Sequence, residues 1–311
     1  MKIRANGLDI EVEDSAAEGA AGPAPQAASR PAVLLIMGLG MQLVAWPPEL
    51  VQRLVHDGFR VIRFDNRDIG LSQKLDHLGQ PSALKLMWSG IRFKLGLPVA
   101  SPYTLQDMAR DALGVLDALG IARVHVAGVS MGGMIAQQVA VLAPERVLSL
   151  SSIMSSSGAP GLPQARPQVL QALLSRPNSR DPQAVVAHYV NLFRVIGSPG
   201  FAEDQPALRE RIVAAVKRND HPAGALRQFL AVVADGQRAA ALARIRTPTL
   251  VIHGKADPLL PFACGEDTAR RIPGARLVGI EGMGHDLPPG VVARLLDLLL
   301  AHFANAATQS T

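Results

Sequence analysis

Short apolar runs alternate with segments of helical spacing along this chain, and this alternation constrains the fold more than any other feature. Runs such as 33–37, 60–64 and 124–129 are continuously apolar or nearly so, which is typical of strands covered on both faces. Helical spacing lies between them, and further strands are predicted downstream. The predicted helices are 43–57, 104–119, 131–142 and 291–303, and the later strands are 147–152, 249–253 and 275–280. This order predicts an α/β fold with a mostly parallel, doubly wound sheet.

The strand pattern stops between residues 155 and 244, where helical segments are separated by Pro and Gly. The predicted helices there are 168–174, 182–195, 206–218 and 223–234. We therefore predict an inserted helical cap over 155–244 that divides the core into 1–154 and 245–311. Within the first part, the alternation over 3–13 predicts one exposed edge strand, and the Ala/Pro/Gly-rich stretch 15–31 predicts a flexible loop. The ordered core is expected to begin after Pro31.

The composition suits one large globular unit, since 48% of the 311 residues are hydrophobic and 18% are charged. A single cysteine, Cys264, forms no internal disulfide, so a cytoplasmic location is expected. The N-terminus lacks the features of a signal peptide, and no uninterrupted apolar stretch of about 18 residues predicts a transmembrane segment. The net charge is +5, but Lys and Arg are spread among Asp and Glu. Nucleic-acid binding is therefore not expected.

The strongest functional signal is Gly128-Val-Ser130-Met-Gly132, which lies directly between a predicted strand and a predicted helix. It fits the pattern G-x-S-x-G of a nucleophile elbow, in which a serine occupies a tight, strained turn. Residues two positions away must then lack side chains, and the glycines meet that requirement. The alternative is that Ser130 caps the helix. The strand before it and the helix after it favour the nucleophile.

A serine nucleophile needs a base to take its proton and a carboxylate to orient that base. Asp257 and His285 each follow a predicted strand, and parallel sheets carry their sites at those strand ends. Asp286 is a rival carboxylate, but neighbouring side chains usually point apart. Asp65 is another, although the stretch 65–72 suggests a loop tied together by internal ion pairs and hydrogen bonds. The competing histidines are His56, His77, His125, His188, His221, His253 and His302, and those at 125 and 253 are expected to be structural.

The oxyanion of a tetrahedral intermediate requires two preorganised N–H groups. We predict the backbone N–H of Met131, directly after the nucleophile, and that of Leu39, in the glycine-flanked loop after the third strand. Glycines after a strand also occur for turn geometry alone. The sequence has no G-x-G-x-x-G after a strand, no P-loop and no His-x-x-x-His pair, so neither a metal nor an organic cofactor is predicted.

From residue 33 to about 303 the chain resembles the α/β-hydrolase superfamily. The motifs Gly128-Val-Ser-Met-Gly132, Phe64-Asp-Asn-Arg-Asp-Ile-Gly70 and Gly282-Met-Gly-His285 are similar to the branch that contains the aclacinomycin methylesterases. The resemblance implies an α/β-hydrolase fold with the triad Ser130, Asp257 and His285 and the oxyanion donors Leu39 and Met131. Met37 stands where many members carry histidine. Because the oxyanion donors are backbone groups, the loss of that histidine side chain should leave them intact.

These features predict a serine carboxylesterase that acts on an apolar small-molecule ester through an acyl-enzyme. The same triad would also serve an amide, a lactone or a carbon–carbon bond. A ligand receptor of the same fold with little turnover is a further alternative. The segment 82–97 is densely apolar and could border the pocket mouth, touch a membrane surface, form a subunit contact or simply pack against the cap. Nothing in the sequence indicates an oligomeric state.

Overall fold

A computed structural model describes residues 1–17, 30–175, 177–179, 181–202 and 204–308. Its centre is one eight-stranded sheet in the order β1-β2-β4-β3-β5-β6-β7-β8. The strands are β1 (Lys2–Ala5), β2 (Leu8–Asp14), β3 (Ala32–Ile36), β4 (Arg60–Phe64), β5 (Val124–Val129), β6 (Val147–Ile153), β7 (Thr249–Gly254) and β8 (Arg276–Ile280). The pairs from β4 to β8 are parallel, whereas β1 and β2 pair antiparallel. The predicted mostly parallel, doubly wound sheet is confirmed.

The N-terminus differs from the prediction of one exposed edge strand. The stretch folds into the antiparallel hairpin β1–β2, because Asn6 and Gly7 both adopt positive φ angles, of 48° and 76°, and reverse the chain. Ile10 and Val12 of β2 are fully buried beneath the neighbouring helices. The ordered core therefore begins before Pro31. Residues 18–29 of the predicted loop 15–31 lie outside the part of the chain that the structure describes.

The helices form a layer on each face of the sheet. A further group of helices follows β6 and precedes β7 along the chain. The helices are α1 (Pro48–His56), α2 (Ala83–Lys94), α3 (Leu105–Ala118), α4 (Met131–Leu142), α5 (Pro167–Leu174), α6 (Pro182–Ile196), α7 (Gln205–Arg218), α8 (Pro222–Ala234), α9 (Arg238–Ala241), α10 (Ala263–Arg271) and α11 (Pro289–Thr308). Five of them, α5 to α9, stand where only helical segments were predicted. No helix was predicted at the positions of α2, α9 and α10.

Successive residues of β3 point to opposite faces and so divide the core in two. Leu34 and Ile36 pack with α3 and α4, whereas Val33 and Leu35 pack with α1 and α11. Helix α11 is long and apolar enough to cross a membrane by length and composition, but its inner face is buried against the sheet. The sheet is thus covered on both faces, and the carboxyl ends of its strands remain available for a site.

Candidate active site

Ser130 occupies the turn between β5 and α4 with a φ of 55°, a backbone conformation that is uncommon for a residue with a side chain. A Cβ on Gly128 would lie 2.1 Å from the carbonyl oxygen of Gly132, and one on Gly132 would lie 2.1 Å from that of Ile36. Only glycine fits at these two positions. The Ser130 hydroxyl makes no capping bond to α4, which removes the capping alternative.

The Ser130 hydroxyl instead lies 2.9 Å from Nε2 of His285. On the other side of the ring, Nδ1 lies 2.7 Å from Oδ2 of Asp257. Both His285 and Asp257 are buried, and all eight histidines of the chain lie in the described residues, where His285 alone contacts Ser130. The structure therefore brings the three predicted side chains together in one hydrogen-bonded series.

The backbone after β7 holds Asp257 in place. Its second oxygen, Oδ1, accepts bonds from the N–H groups of Leu259 and Leu260 at 2.9 and 2.8 Å. His253 donates from Nε2 to the carbonyl oxygen of Leu260 at 2.7 Å, and burial lowers the pKa of its imidazole. A neutral His253 thus helps to fix the turn that carries Asp257. The sequence placed His253 correctly as a structural group but gave no sign of this contact.

Asp286 does not compete with Asp257 for the histidine. Its carboxylate accepts a hydrogen bond from the hydroxyl of Ser198, and burial raises the pKa of its carboxyl group. The Ser198 hydroxyl also accepts from the N–H of Gly284 at 2.8 Å, and the N–H of His285 donates to the carbonyl of Ile196 at 2.7 Å. The loop after α6 therefore holds the loop that carries the histidine, and sequence analysis did not identify it.

Each predicted oxyanion donor belongs to a segment that lies next to Ser130. Met131 is the first residue of α4, where N–H groups lack helical partners, and Leu39 lies in the loop after β3. That loop is close to the nucleophile, since a Cβ on Gly38 would lie 3.3 Å from the Ser130 Cβ. Buried Gln228 of α8 accepts from the N–H of Gly40 at 2.9 Å, which anchors the loop. Sequence analysis missed Gln228.

The loop from Asp65 to Ser72 has the predicted internal hydrogen bonds, since the N–H of Leu71 and the hydroxyl of Ser72 donate to Asp65 at 2.8 and 2.6 Å. Its ion pairs, however, reach other elements and are not internal. Arg67 bonds Asp111 of α3 at 2.7 Å, and Asp68 accepts two bonds of 2.7 Å from Arg227 of α8. Asp65 is paired with Arg218 of α7 at 2.6 Å. Arg227 is fully buried, and its pKa is raised chiefly by its hydrogen bonds to Asp68. The loop thus connects the sheet to α7 and α8.

A cavity of about 580 Å³ opens above Ser130 and His285. Its walls come from α2, from α5 to α8 and from the loop after β3, and most lining side chains are aliphatic or aromatic. Six of the nine methionines line it, namely Met37, Met41, Met87, Met131, Met134 and Met154. Methionine is flexible and polarisable, so the wall can adapt to different apolar shapes. No cluster of metal ligands occurs among the described residues.

Known proteins resemble this chain over most of its length. A family model described as the alpha/beta hydrolase fold matches residues 31–288. The rhodomycin D methylesterases DnrP of Streptomyces peucetius and DauP of Streptomyces sp. (strain C5) are 32% and 33% identical over 296 residues, which cover 89% of this chain and 91% of each relative. The 3-oxoadipate enol-lactonase 2 of Acinetobacter baylyi is 27% identical, covering 77% of this chain and 76% of that enzyme.

Solved structures share the architecture at lower identity. The enol-lactonase of Burkholderia xenovorans LB400 has a TM-score of 0.66 at 20% identity, covering 98% of this chain and 100% of that one. The 2-hydroxy-6-oxo-6-phenylhexa-2,4-dienoate hydrolase of Rhodococcus sp. strain RHA1 has a TM-score of 0.68 at 21% identity, with 98% of both chains covered. At such identities the likeness concerns the fold alone.

Proposed function

The chain belongs to the α/β-hydrolase family, and we propose that it is a serine carboxylesterase that cleaves an apolar small-molecule ester through an acyl-enzyme on Ser130. Its family and its two methylesterase relatives support an esterase-type hydrolase. The observation that carries the finer proposal is the hydrogen-bonded series Ser130–His285–Asp257 at the base of an apolar cavity.

The first half of the reaction follows from the orientation of His285. Its Nδ1–H donates to the Asp257 carboxylate, so Nε2 is left to accept the Ser130 proton as Oγ attacks the ester carbonyl carbon. The carbonyl π electrons move to oxygen, and the N–H groups of Leu39 and Met131 stabilise the resulting oxyanion. The imidazolium then returns its proton to the leaving alkoxide, which departs as an alcohol and leaves Ser130 acylated.

The second half repeats these steps with water. His285 takes a proton from water as the water oxygen attacks the acyl carbon, and it then protonates Ser130 Oγ as the carboxylic acid leaves. Two backbone N–H groups and the histidine donate hydrogen bonds to the oxygens of the Asp257 carboxylate. The carboxylate holds the correct tautomer of His285 and stabilises the imidazolium, and no cofactor enters these steps.

The cavity and the relatives together define the proposed substrate class. A volume of about 580 Å³ with mainly apolar walls suits a bulky apolar acyl group, and two relatives are named as methylesterases. We assign the segment 155–244 as a cap over the site, since α5 to α8 supply much of the wall. Buried Cys264, with its pKa raised by burial to about 11, remains a free thiol, in keeping with the proposed cytoplasmic location.

A substrate panel with matched variants tests this proposal. Purified protein is offered p-nitrophenyl and methyl esters of increasing acyl length, lactones and aminoacyl amides, with Ser130→Ala and His285→Gln as variants. Ser149→Ala is the control, because Ser149 is a buried serine bonded to His125 away from the cavity. We expect apolar esters to be the best substrates, and kcat to fall about 10⁴-fold or more in Ser130→Ala but not in the control.

Other outcomes separate the alternatives. Preferred turnover of lactones would favour the chemistry for which the Acinetobacter baylyi relative is named, while keeping the triad. Preferred turnover of amides or of carbon–carbon bonds would likewise replace the ester proposal. If wild type and Ser130→Ala are equally inert, and a serine-directed phosphonate labels neither, the receptor alternative replaces the esterase.

A further inference from the structure

Helix α2 presents two different apolar faces. The inner face, with Leu86, Gly90 and Phe93, lines the cavity, and Ser89 on the same side is buried. The outer face is exposed to solvent although it is also apolar. Its members are Leu84 (61% exposed), Trp88 (55%), Ile91 (41%) and Leu95 (67%), and exposed Met87 (55%) lies between the two faces, since it also lines the cavity. The surface of a monomeric protein rarely groups so many large apolar side chains, and such a patch is typical of an interaction site.

The spacing of these residues makes them one continuous stripe. Positions 84, 88, 91 and 95 recur at intervals of three and four residues, which places them on the same side of a helix. Lys85 and Arg92 are also exposed, and by the same helical geometry they lie together along one edge of the stripe. The outer face therefore combines an apolar stripe with a basic border.

Acidic residues are missing from this whole region of the chain. No Asp or Glu occurs between Asp76 and Asp107, a stretch that contains all of α2. Helix α5, which lines the same cavity, lies in a second such stretch, between Glu145 and Asp181. Leu170 and Leu174 of α5 are exposed and yet also line the cavity. Two apolar, acid-free helices thus border one cavity.

We propose that the outer face of α2 (Leu84, Trp88, Ile91 and Leu95, with the adjoining Met87, Lys85 and Arg92) binds the surface of an anionic phospholipid bilayer. A helix with an apolar outer face and basic neighbours lies in the plane of such an interface, with its apolar side chains among the acyl chains. Lys85 then reaches the anionic headgroups through its long stem, and Arg92, whose Nε donates to the carbonyl of Pro98 at 2.6 Å, adds positive charge at the same edge. A tryptophan at the boundary suits the level of the headgroups.

Charge argues for a bilayer over a second copy of this chain. A symmetric dimer through α2 would repeat the same face on both subunits, so Lys85 and Arg92 would meet like charges with no acidic residue of α2 to pair with them. An anionic bilayer offers the opposite charge and an apolar interior together. Because Met87, Leu170 and Leu174 are both exposed and part of the cavity wall, a bound bilayer would face the cavity rim directly.

Trp88 provides a natural probe for the test, because the chain has two tryptophans and the other, Trp46, is fully buried. The full chain is mixed with vesicles of phosphatidylcholine alone or with added phosphatidylglycerol, no soluble ester is added, and binding alone is measured. We expect co-sedimentation with the anionic vesicles, weakened by salt, together with a blue shift of the Trp88 emission and its quenching by brominated lipid. Since no turnover is measured, failure of this surface and failure of the proposed esterase are distinguishable.

Variants assign the binding to this face. The double variant Leu84→Ser/Trp88→Ser is expected to lower the vesicle partition coefficient at least about tenfold, and Lys85→Gln about fivefold, whereas Leu71→Ser, at an exposed leucine outside α2, leaves it unchanged. Unchanged far-UV circular dichroism and an unchanged urea-unfolding midpoint show that each variant is folded. Absence of binding, equal binding to neutral vesicles, or equal binding by the double variant would overturn the proposal. So would a dimer in sedimentation velocity that the double variant dissociates.

Discussion

The contact between Ser198 and the loop of His285 predicts how strongly the base depends on its support. The Ser198 hydroxyl accepts from the N–H of Gly284 and donates to Asp286, and all of these groups are buried. Ser198→Ala leaves a buried N–H and a buried carboxylate without this partner. At about 1–3 kcal/mol for an unpaired buried polar group, and more for a charged one, we expect the free energy of unfolding to fall by about 3 kcal/mol.

We expect Ser198→Ala to lower the catalytic rate in addition to the stability. The same loop carries His285, and a displacement of about 1 Å of a catalytic group can cost about 100-fold in rate. We therefore expect kcat for p-nitrophenyl acetate to fall about 10- to 100-fold, with KM within about twofold. The variant Asp286→Asn keeps an acceptor for the Ser198 hydroxyl and should lose less than Ser198→Ala.

The destabilisation should also depend on pH. The hydrogen bond from Ser198 lowers the pKa of Asp286, which burial raises, so its removal raises the folded-state pKa further above the unfolded value. A carboxyl group with a raised folded-state pKa binds more protons when folded, so stability recovers as pH falls through that pKa. The stability deficit of Ser198→Ala should therefore shrink on acidification.

Urea unfolding at several pH values and steady-state kinetics measure these effects, with Ser149→Ala as the buried-serine control. That control should lose stability but keep kcat. If Ser198→Ala is destabilised to a similar degree and its kcat stays within about twofold of wild type, the loop after α6 supports the fold but does not position His285.

Three further predictions concern the fold around the site. Arg227→Met should lower the free energy of unfolding by about 3–5 kcal/mol, because it leaves the buried Asp68 carboxylate without its ion-pair partner, and a loss below about 1 kcal/mol in urea would contradict this. Gly128→Ala should destabilise the fold by at least about 1–3 kcal/mol and lower kcat, since its Cβ would lie 2.1 Å from the carbonyl oxygen of Gly132; wild-type kcat would refute the steric account of the elbow. Burial lowers the pKa of His125 to about 4, below its unfolded value, so stability present above about pH 6.5 is lost as pH falls toward 4. Between pH 7 and 4.5 wild type should lose on the order of 2 kcal/mol more than His125→Gln, and parallel pH curves would disprove a neutral buried imidazole.

The core of the fold could be predicted because burial leaves a direct mark on sequence. Strands covered on both faces are mainly apolar, as β3 is throughout and β5 is apart from His125, and the predicted bounds of β5 and α4 agree with the structure. The serine motif was equally informative for a steric reason. Backbone atoms come so close to Gly128 and Gly132 that no side chain fits, so the pattern reflects the geometry of the turn.

The N-terminal hairpin was within reach of the sequence but was missed. Asn-Gly is a strong signal for a two-residue turn, and Asn6 and Gly7 form that turn here. Alternation of apolar and polar residues continues on both sides of it. The prediction followed this alternation through the turn and therefore gave one strand in place of β1 and β2.

Long-range partners could not be predicted, because charge alone does not say which opposite charge lies near. Arg67 pairs with Asp111, and Asp68 pairs with Arg227 more than 150 residues away, so the predicted internal ion pairs of this loop were wrong. Ser198 lies in a short loop whose sequence has no periodicity that would indicate its target. The exposure of α2 could not be predicted either, since it depends on the tertiary structure. An apolar segment has the same sequence pattern whether it is buried or exposed.

The acyl-enzyme itself tests the central claim most directly. Wild type and Ser130→Ala are mixed with p-nitrophenyl acetate, quenched with acid within the first turnover, and analysed by intact and peptide mass spectrometry. We predict a burst of p-nitrophenol matched by one acetyl group on the peptide that contains Ser130, absent from the variant. An acetyl group on another residue, or a burst of equal size in Ser130→Ala, would contradict the assignment of Ser130 as the nucleophile.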